Sequence, residues 1–376
     1  RFTDQEREQI SSDIPDLADK PLISIVMPVY NVDPKWLMRA LESITGQLYE
    51  NWELCIVDDA STSEETLRYL KSITHPRVRI RYLDSNRNIS GATNEAIRYA
   101  NGEYIAFMDN DDELTEDALY YVVKTINAGK ADIIYSDEDF IDLDGEYVDP
   151  NFKPDYSPDL LLSHNYITHL VVVSKALVEQ VGLLDSRYDG AQDHEFLLRL
   201  TEQTSQIRHI PRVLYHWRRS ETSTSLSSDA KPGALLSARK ALQDTLKRRN
   251  IEAEVLDEKA PFFFRVKRKI HDVPLVSIVI PFRDKPDLLS LCVNSILDHS
   301  TYENYEIVAI SNNSRSSETY SLVSKLEEKS KRFRCIEFNE EFNFSRVVNY
   351  GVSQSKGEYL IILNNDIEVI SWDWIE

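Results

Sequence analysis

Three stretches of this sequence lie where an apolar run ends and polar side chains begin. They are Pro28-Val29-Tyr30-Asn31, Asp58-Asp59-Ala60-Ser61 and Asp109-Asn110-Asp111-Asp112. Ligands of an open parallel sheet bind outside the carboxyl ends of its strands, so groups of this kind can meet at one edge. Carboxylates that meet repel one another unless a cation or hydrogen-bond donors lie among them. The pattern therefore predicts a polar ligand site at that edge.

The acidic group at residues 109–112 has the ligand chemistry of a hard divalent cation. Asp109 and Asp111 lie on a turn after an apolar run and can both face one point. Carboxylate oxygens suit Mg²⁺ or Mn²⁺ rather than zinc, and such an ion typically binds substrate phosphates as well. The alternative is that these acids only end the strand and cap the helix that follows.

The pair Asp58 and Asp59 has the chemistry of a nucleoside contact. A carboxylate placed after a strand could accept the N–H of a uracil or thymine ring, or a ribose hydroxyl. However, the stretch Asp-Ala-Ser-Thr is also an ordinary turn and helix cap.

Two further groups of candidate residues come later in the chain. Asp193 stands at the start of a predicted helix, where it could be an N-cap or a general base within reach of an attacking hydroxyl. His216 and Arg218 precede a stretch rich in Ser and Thr. The imidazole could complete a metal shell and the guanidinium could pair with a diphosphate. The alternative for both is an aromatic strand with a solvated basic end.

Alternating strands and helices must position these side chains. From residue 22 onward, continuous apolar runs alternate with helical periodicity, which is typical of a largely parallel sheet covered by helices. The predicted strands are 22–29, 52–57, 78–83 and 104–108, and the predicted helices are 34–47, 64–73 and 91–100, the last with Ser90 as its N-cap.

The following segment has a different pattern. It predicts a strand at 131–135, a hairpin or loop at 137–153, and helices at 175–182 and 193–201. Residues 220–229 are nearly all Ser, Thr and acidic, which predicts a mobile loop. An amphipathic helix at 234–249 and one or two strands within 254–268 follow.

The sequence of the first strand is repeated about 250 residues later. Residues 21–30 return at 274–283, and residues 101–111 return at 356–366. Solenoid units recur every ~20–50 residues, so this spacing indicates a duplicated domain instead. We expect an N-terminal extension at 1–20, a first domain at 21–225, a connecting region at 226–273, and at 274–376 a second, truncated copy that holds only the nucleotide-binding half.

Composition excludes some classes of function. The chain has 63 acidic and 43 basic residues, a formal charge of -20, which argues against a nucleic-acid partner. Cys55, Cys292 and Cys335 lack metal-binding spacing and are expected to be free thiols. The sequence contains no run of about 18 apolar residues, so no membrane span is predicted. Residues 1–20 lack the apolar core of a signal peptide. We expect a cytoplasmic protein, with peripheral association at the inner face of the membrane as an alternative.

Taken together, these motifs resemble those of family 2 glycosyltransferases of the GT-A fold. The resemblance is nearest to the tandem bacterial enzymes that build O-antigens, capsules and other surface glycans. It covers residues 21 to about 225 and again 274–376. Besides the three polar groups, it is carried by Asn101-Gly102-Glu103-Tyr104, Tyr135-Ser136-Asp137-Glu138-Asp139, the stretch 151–161, Gly190-Ala191-Gln192-Asp193 and Tyr215-His216-Trp217-Arg218.

The resemblance implies a metal-dependent, inverting transfer of a sugar from a UDP- or dTDP-linked donor. The acceptor would be a hydroxyl of a saccharide, a lipid-linked glycan or a glycoprotein, and the cofactor would be Mn²⁺ or Mg²⁺. The implied nucleotide-binding residues are Pro28, Tyr30, Asp58, Asp59, Asn88, Asp109 and Arg218. The implied metal ligands are Asp109, Asp111 and His216, and the implied base is Asp193. His169 also lies in a matching stretch, where we interpret it as a packed core histidine.

The second copy departs from this pattern. Ser311 and Asn312 stand where the first copy has Asp58 and Asp59, and Asn364 replaces Asp109, which leaves Asp366 as the candidate metal ligand. Two other functions remain open. A sugar nucleotidyltransferase also uses acids at such a sheet edge, but usually with a Gly-rich basic loop after the first strand. A non-catalytic carbohydrate-binding or scaffold protein is plausible mainly for the second copy.

Overall fold

The computed structural model describes residues 3–219 and 232–376. The chain divides into two compact units, Arg1–Arg268 and Lys269–Glu376. The predicted loop at 220–229 lies outside the described residues.

In the described part of the first unit, nine strands of the main sheet alternate with helices. The helices are α1 (Asp4–Asp13), α2 (Pro34–Thr45), α3 (Glu64–Ser72), α4 (Asn88–Tyr99), α5 (Ala118–Ala128), α6 (Pro158–Ser163), α7 (Lys175–Val181), α8 (Gln192–Thr201) and α9 (Pro232–Arg248). The strands are β1 (Ile23–Val29), β2 (Trp52–Asp58), β3 (Val78–Tyr82), β4 (Tyr104–Phe107), β5 (Glu113–Leu114), β6 (Ile133–Ile141), β7 (Tyr147–Asn151), β8 (Val171–Ser174) and β9 (Ile207–Arg218). Short 3-10 helices lie at Ile14–Asp16 and Ser186–Tyr188, and strands β10 (Ala253–Asp257) and β11 (Phe264–Arg268) form a separate hairpin.

The first half of the sheet is parallel. Its order is β3-β2-β1-β4, so all four strands end at the same edge. Side chains alternate between two cores, because successive residues of a strand point to opposite faces. Ile25 and Met27 pack with α2 and α5 on one face, whereas Val26, Cys55 and Val57 pack with α4 and α8 on the other. Burial on both faces explains the continuous apolar runs.

The second half of the sheet is mixed, with both antiparallel and parallel pairings. Strand β8 pairs with β4 and with β6, and β9 runs parallel to β6 and antiparallel to β5. Strand β7 forms the predicted hairpin with β6. The β5–β9 pairing brings the acidic turn after β4 beside residues 215–218, which are more than a hundred positions away in the sequence.

A buried polar cluster fixes the opposite edge of the parallel strands. Glu53 accepts hydrogen bonds from the Ser24 hydroxyl (2.6 Å) and from the backbone N–H of Asn101 (2.5 Å), and it pairs with Arg79 (2.8 Å). The Gly102 N–H donates to Ser24 Oγ at 2.7 Å, and a Cβ on this glycine would lie only 2.5 Å from the Leu22 carbonyl oxygen. The Asn-Gly-Glu-Tyr motif is therefore explained by close packing, far along the strands from the polar edge.

The structure adds detail to one sequence-based expectation, the N-terminal extension, and differs from two others. The N-terminal extension is helical and packs on α5, with Ile10 buried and Tyr120 donating to Asp13 at 2.9 Å. Most of the expected connecting region belongs to the first unit, since α9 packs on α8 and buries Ala241 and Leu242. Helix α4 begins at Asn88, so Ser90 is not its N-cap as expected but lies in its first turn.

The second unit repeats the strand order of the parallel half. Its strands β12 (Val276–Phe282), β13 (Tyr305–Ser311), β14 (Phe333–Glu337) and β15 (Tyr359–Ile362) are ordered β14-β13-β12-β15 and are all parallel. Its helices are α10 (Pro286–His299), α11 (Ser317–Lys329) and α12 (Phe344–Ser353). In residues 3–219 and 232–376, no helix has both the length and the apolar character that a membrane crossing requires.

Candidate active site

The side chain of Asn31 links the carboxyl end of β1 to the segment that follows β2. Asn31, in the left-handed region at φ 51°, accepts hydrogen bonds from the N–H groups of Thr62 and Ser63 at 2.8 and 2.9 Å. The Asn110 side chain donates to the Pro28 carbonyl at 2.7 Å, which ties the acidic turn to the end of β1. Thus all three polar groups predicted from the sequence meet at one edge.

Asp58 and Asp59 are both buried there, but they have different surroundings. Asp59 accepts the backbone N–H of Arg87 at 2.7 Å, at the start of α4. Burial, with the neighbouring Asp58 charge adding to it, raises the pKa of Asp59. Asp58 accepts the Ser61 N–H at 3.2 Å, and among the described residues no hydrogen-bond donor reaches its buried Oδ1. That oxygen is chemically suited to an N–H of a ligand.

A cavity of about 270 Å³ opens at this edge. Five of the residues predicted to bind a nucleotide line it, together with Asn86, Ile89 and Asn110. The five are Pro28, Tyr30, Asp59, Asn88 and Asp109.

Arg218 holds the acidic turn in place. Its backbone N–H donates to Asp112 Oδ1 at 2.7 Å, its Nε donates to the Asp111 carbonyl at 2.7 Å, and its guanidinium pairs with Glu113. The side chain is only 4% exposed and lies over the Trp36 ring. In this arrangement Arg218 contacts the acidic turn directly, whereas contact with a diphosphate stays a prediction.

The acidic turn concentrates negative charge in a buried setting. Burial, with Asp109 and Asp111 adding to it, raises the pKa of the fully buried Asp112 well above its usual range. Burial together with the Asp109 charge raises the pKa of Asp111 to about 6. Such shifts are expected where carboxylates are held together for binding a cation or for catalysis.

One grouping of side chains at this turn could hold a metal ion. Ligand atoms of Asp109, Asp112 and His169 lie within 4.8 Å of one another. Both oxygens of Asp112 already accept hydrogen bonds, from Arg218 and from the Tyr215 hydroxyl, so Asp109 and His169 have the more accessible ligand atoms. Carboxylate donors suit Mn²⁺ or Mg²⁺, whereas imidazole suits softer transition metals, so the compatibility of this site with the expected cofactor rests on its carboxylates.

His169 lies at this site, although its sequence pattern favours a packed core histidine. Its Nε2 lies 3.8 Å from Asp109 Oδ2, and its ring stacks on Tyr215. In the sequence, the indication of a functional role for His169 is that it lies in a stretch resembling that of family 2 glycosyltransferases. His216, the predicted ligand, is elsewhere engaged: Nδ1 contacts the Asp139 carboxylate and the ring stacks on Tyr147 at 4.1 Å.

Asp193 lies in the first turn of α8, with Ala191 as the N-cap residue. Its carboxylate is exposed and accepts a hydrogen bond from Asn165 Nδ2 at 2.8 Å. Together with Asp109 and His169, it lines a second cavity of about 680 Å³. Pro28, Asn88, Ile89 and Asp109 line both cavities, so the two cavities adjoin.

Comparison with known proteins agrees with this geometry. The profile of Glycosyl transferase family 2 matches residues 24–173 and 277–376. The chain belongs to glycosyl transferase family 2. The first match runs from β1 to β8, whereas Asp193 on α8 and Trp217 on β9, which line the second cavity, lie beyond it. The second match covers most of the second unit.

Two relatives align with nearly all of this family 2 chain. The uncharacterized protein y4gI of Sinorhizobium fredii is 42% identical over 96% of this chain and 40% of its own length. The O-antigen biosynthesis protein RfbC of Myxococcus xanthus is 37% identical over 96% of this chain and 28% of its own length. The chain thus spans less than half the length of either relative.

Solved structures support the same fold. The crystal structure of S. aureus TarS 1-349 in complex with UDP-GlcNAc is 18% identical and superposes with a TM-score of 0.50 over 60% of this chain and 66% of that one. The chain has a GT-A-like α/β fold with a curled, mostly parallel sheet.

The second unit carries different side chains at the equivalent edge. The Asn312 side chain donates to the carbonyls of Phe338 (2.9 Å) and Glu340 (3.0 Å), where Asp59 accepts an N–H. Ser311 is buried and Asp366 is exposed. At this edge of the second unit, the amide of Asn312 therefore donates hydrogen bonds where the carboxylate of Asp59 in the first unit accepts one.

Proposed function

We propose that the first unit is an inverting glycosyltransferase. It transfers a sugar from a UDP- or dTDP-linked donor to a hydroxyl of a saccharide acceptor. The observation that carries the proposal is the pair of adjoining cavities, one lined by Asp59 and Asn88, the other by Asp193, with Asp109 lining both. A donor spanning them would have its nucleoside at β1 and β2 and its sugar toward α8.

The nucleoside end of the proposal rests on hydrogen-bonding chemistry. Uracil and thymine both present an imide N–H, and the buried Asp58 Oδ1 has no donor among the described residues. Asp58 does not itself line the cavity, but its neighbour Asp59 does, so a base bound there would have to reach past Asp59 to donate to this oxygen. An unpaired buried oxygen costs about 1–3 kcal/mol, so a base that donates to it gains that much affinity. Binding of a UDP- or dTDP-sugar is therefore favoured over binding of a sugar without a nucleotide.

The proposed chemical step uses Asp193 as a general base. Its carboxylate takes the proton of the acceptor hydroxyl, whose oxygen forms a bond to the anomeric carbon. The bond from that carbon to the diphosphate oxygen breaks, and the diphosphate leaves with the electron pair. Attack from the face opposite the diphosphate inverts the anomeric configuration. The exposed position of Asp193 on the cavity wall leaves room for an acceptor.

We assign the divalent cation to Asp109 and His169, with Asp112 beside them and Asp111 as the predicted additional ligand. When bound, Mn²⁺ or Mg²⁺ would neutralise charge developing on the leaving diphosphate. Asp109 and His169 would hold it, and Arg218 would keep the acidic turn in register through Asp112 and Glu113. His216 remains an alternative ligand only if it leaves Asp139.

The biological setting is proposed from the relatives. RfbC is named for O-antigen biosynthesis. We infer that this chain acts in bacterial surface glycan synthesis, on a free, lipid-linked or protein-linked saccharide. We place the reaction in the cytoplasm, with peripheral association at the inner face of the membrane when the acceptor is lipid-linked.

We propose a separate role for the second unit. Residues 274–376 would be a second copy of the nucleotide-binding half that no longer binds the same nucleoside, because Asn312 uses its amide N–H groups on backbone carbonyls. Asp366 would be its remaining metal candidate. A scaffold role fits this unit better than it fits the first.

Donor binding tests the proposal directly. Melting temperature would be measured with UDP-, dTDP- and GDP-sugars, in Mn²⁺ or in EDTA, for wild type, Asp109→Asn and the control Asp159→Asn, whose side chain lies on α6 and pairs with Arg268. We expect one nucleotide class to raise the melting temperature in Mn²⁺, with the rise lost only in Asp109→Asn. No response to any donor would contradict the proposal.

A further inference from the structure

Two motifs of this chain have no role in the chemistry above. Residues 135–139 lie on β6. Residues 151–161 begin at the last residue of β7 and continue into α6. One side chain from each forms a buried ion pair: Lys153 Nζ lies 3.2 Å from Glu138 Oε2, and the two side chains are 1% and 2% exposed. Neither side chain reaches the surface.

Both members of the pair bind the same short segment, residues 167–169. Glu138 accepts hydrogen bonds from the Thr168 hydroxyl at 2.7 and 2.8 Å and from the His169 N–H at 3.1 Å. Lys153 donates to the Ile167 carbonyl at 2.6 Å and to the His169 carbonyl. Backbone groups on both sides of Thr168 are thus held by one ion pair.

The backbone of this segment needs support from its neighbours to keep its shape. Thr168 has φ 41°, in the left-handed region that β-branched residues rarely adopt. Such a conformation persists where neighbouring groups over-determine it, and it concentrates at functional sites. The Thr168 hydroxyl, whose single proton is shared by both oxygens of Glu138, provides that constraint together with the His169 N–H.

The segment presents His169 to the proposed active site, and its Thr168 N–H donates to the side chain of the preceding Asn165 at 3.5 Å. His169 turns its Nε2 toward Asp109, and its ring packs face-on against Tyr215 and edge-on against Trp217. Asn165, three residues before Thr168, donates to Asp193. The position of this segment therefore determines where the His169 imidazole lies and, through Asn165, one hydrogen bond to the proposed base Asp193.

We propose that Glu138 and Lys153 are positioning residues that hold residues 167–169 so that His169 faces Asp109 in a binding-competent geometry. The inference rests on the proposed metal site. A purely stabilising role explains the pair less well, because a buried ion pair is often no more stabilising than apolar residues of the same volume. Groups that orient a metal ligand, in contrast, typically contribute strongly to metal affinity.

Mn²⁺ affinity in the absence of nucleotide tests the inference without any turnover. Free Mn²⁺ would be titrated into the full chain and followed by its electron paramagnetic resonance signal, for wild type, His169→Ala, Glu138→Gln and Thr168→Gly. The matched control is Glu53→Gln, which also removes a buried, ion-paired carboxylate but at the opposite edge of the sheet.

We expect Glu138→Gln to weaken Mn²⁺ binding about 10-fold or more. Thr168→Gly should weaken it in the same direction, although glycine tolerates the left-handed backbone. Glu53→Gln should leave the affinity unchanged while lowering the melting temperature. Thr168→Gly is the decisive variant if Glu138→Gln does not fold.

The outcomes separate this inference from the proposed function. If His169→Ala weakens Mn²⁺ binding but Thr168→Gly and folded Glu138→Gln do not, the positioning role alone is overturned. If Glu53→Gln loses as much Mn²⁺ affinity as Glu138→Gln, the positioning role is also overturned, because the affinity would then depend only on the stability of the fold. Absence of Mn²⁺ binding by wild type, or no effect of His169→Ala, would overturn the inference together with the metal site on which it rests.

Discussion

The Tyr215 hydroxyl donates a 2.5 Å hydrogen bond to Asp112 and also accepts the backbone N–H of Asp109 at 3.2 Å. Through one oxygen atom, β9 is tied to both ends of the acidic turn. Because Tyr215 and Asp112 are both fully buried, removal of the hydroxyl leaves Asp112 without ready access to bulk water.

Tyr215→Phe should therefore lower the free energy of unfolding by about 1–3 kcal/mol, since it leaves a buried carboxyl group short of a donor. Urea denaturation measures the loss. Tyr49→Phe is the control, because the Tyr49 hydroxyl donates at 2.8 Å to the uncharged Pro21 carbonyl. We expect a smaller effect there, and equal losses would contradict a special role for the bond to Asp112.

Asp193→Asn should abolish sugar transfer without abolishing donor binding. Removing a general base typically lowers turnover by about 10²–10⁴-fold, and asparagine can still accept the hydrogen bond from Asn165. Product formation and the donor-induced rise in melting temperature would be measured on the same preparation. Turnover within a few fold of wild type would remove Asp193 from the mechanism.

Glu53 gives the stability a pH dependence of known sign. Burial alone would raise its pKa, but hydrogen bonds from Ser24 and Asn101 and the charge of Arg79 more than offset burial, so the pKa is lowered. A carboxyl group with a lowered pKa in the folded state stabilises the fold above its unfolded pKa, about 4.5, and loses that contribution as the pH falls through the folded value.

Glu53→Gln should consequently cost about 1–3 kcal/mol at pH 7 and progressively less below about pH 4.5. Unfolding free energies of wild type and variant at several pH values give the difference. Glu8→Gln, on the exposed face of α1, is the control for loss of a carboxylate and should cost much less at pH 7. A Glu53→Gln deficit that stays constant into acid would argue against a lowered pKa.

In the second unit, Asn312→Asp should be destabilising, although it restores the residue type of the first unit. A carboxylate at this position would face the Phe338 and Glu340 carbonyls without an N–H to donate. Loss of two buried hydrogen bonds predicts a cost of about 2–3 kcal/mol, measurable as weaker hydrogen-exchange protection in β13. A neutral or stabilising result would indicate that the edge can return to the arrangement around Asp59.

Local pattern is sufficient to predict the parallel half of the fold. Continuous apolar runs and helical periodicity locate β1 to β4 and α2 to α4 to within a few residues, and the carboxyl ends of parallel strands necessarily share an edge. Asp59 and Asp109 can therefore be grouped from the sequence alone. Family resemblance adds Asn88 and supplies the candidate roles.

The remainder depends on pairings that local pattern does not encode. His169 reaches Asp109 because β8 pairs antiparallel with β4, and Arg218 reaches Asp112 because β9 pairs with β5. His216 and His169 both lie near apolar or aromatic residues in the sequence, and only the register of β6 with β9 directs His216 to Asp139. Similarly, the sequence of α9 does not show which unit it packs on. Its contacts with α8 make it part of the first unit.

The cluster of Ser24, Glu53 and Gly102 recurs bond for bond in the second unit. Ser277 donates to Glu306 at 2.6 Å, Gly357 donates to Ser277 at 2.8 Å, and the backbone of Lys356 donates to Glu306 at 2.7 Å. Meanwhile the acids at the other end of the same strands have become Ser311 and Asn312. Between the two copies, then, the amino ends of the strands keep the same hydrogen-bonded cluster, whereas the carboxyl ends differ in both residue type and hydrogen bonding.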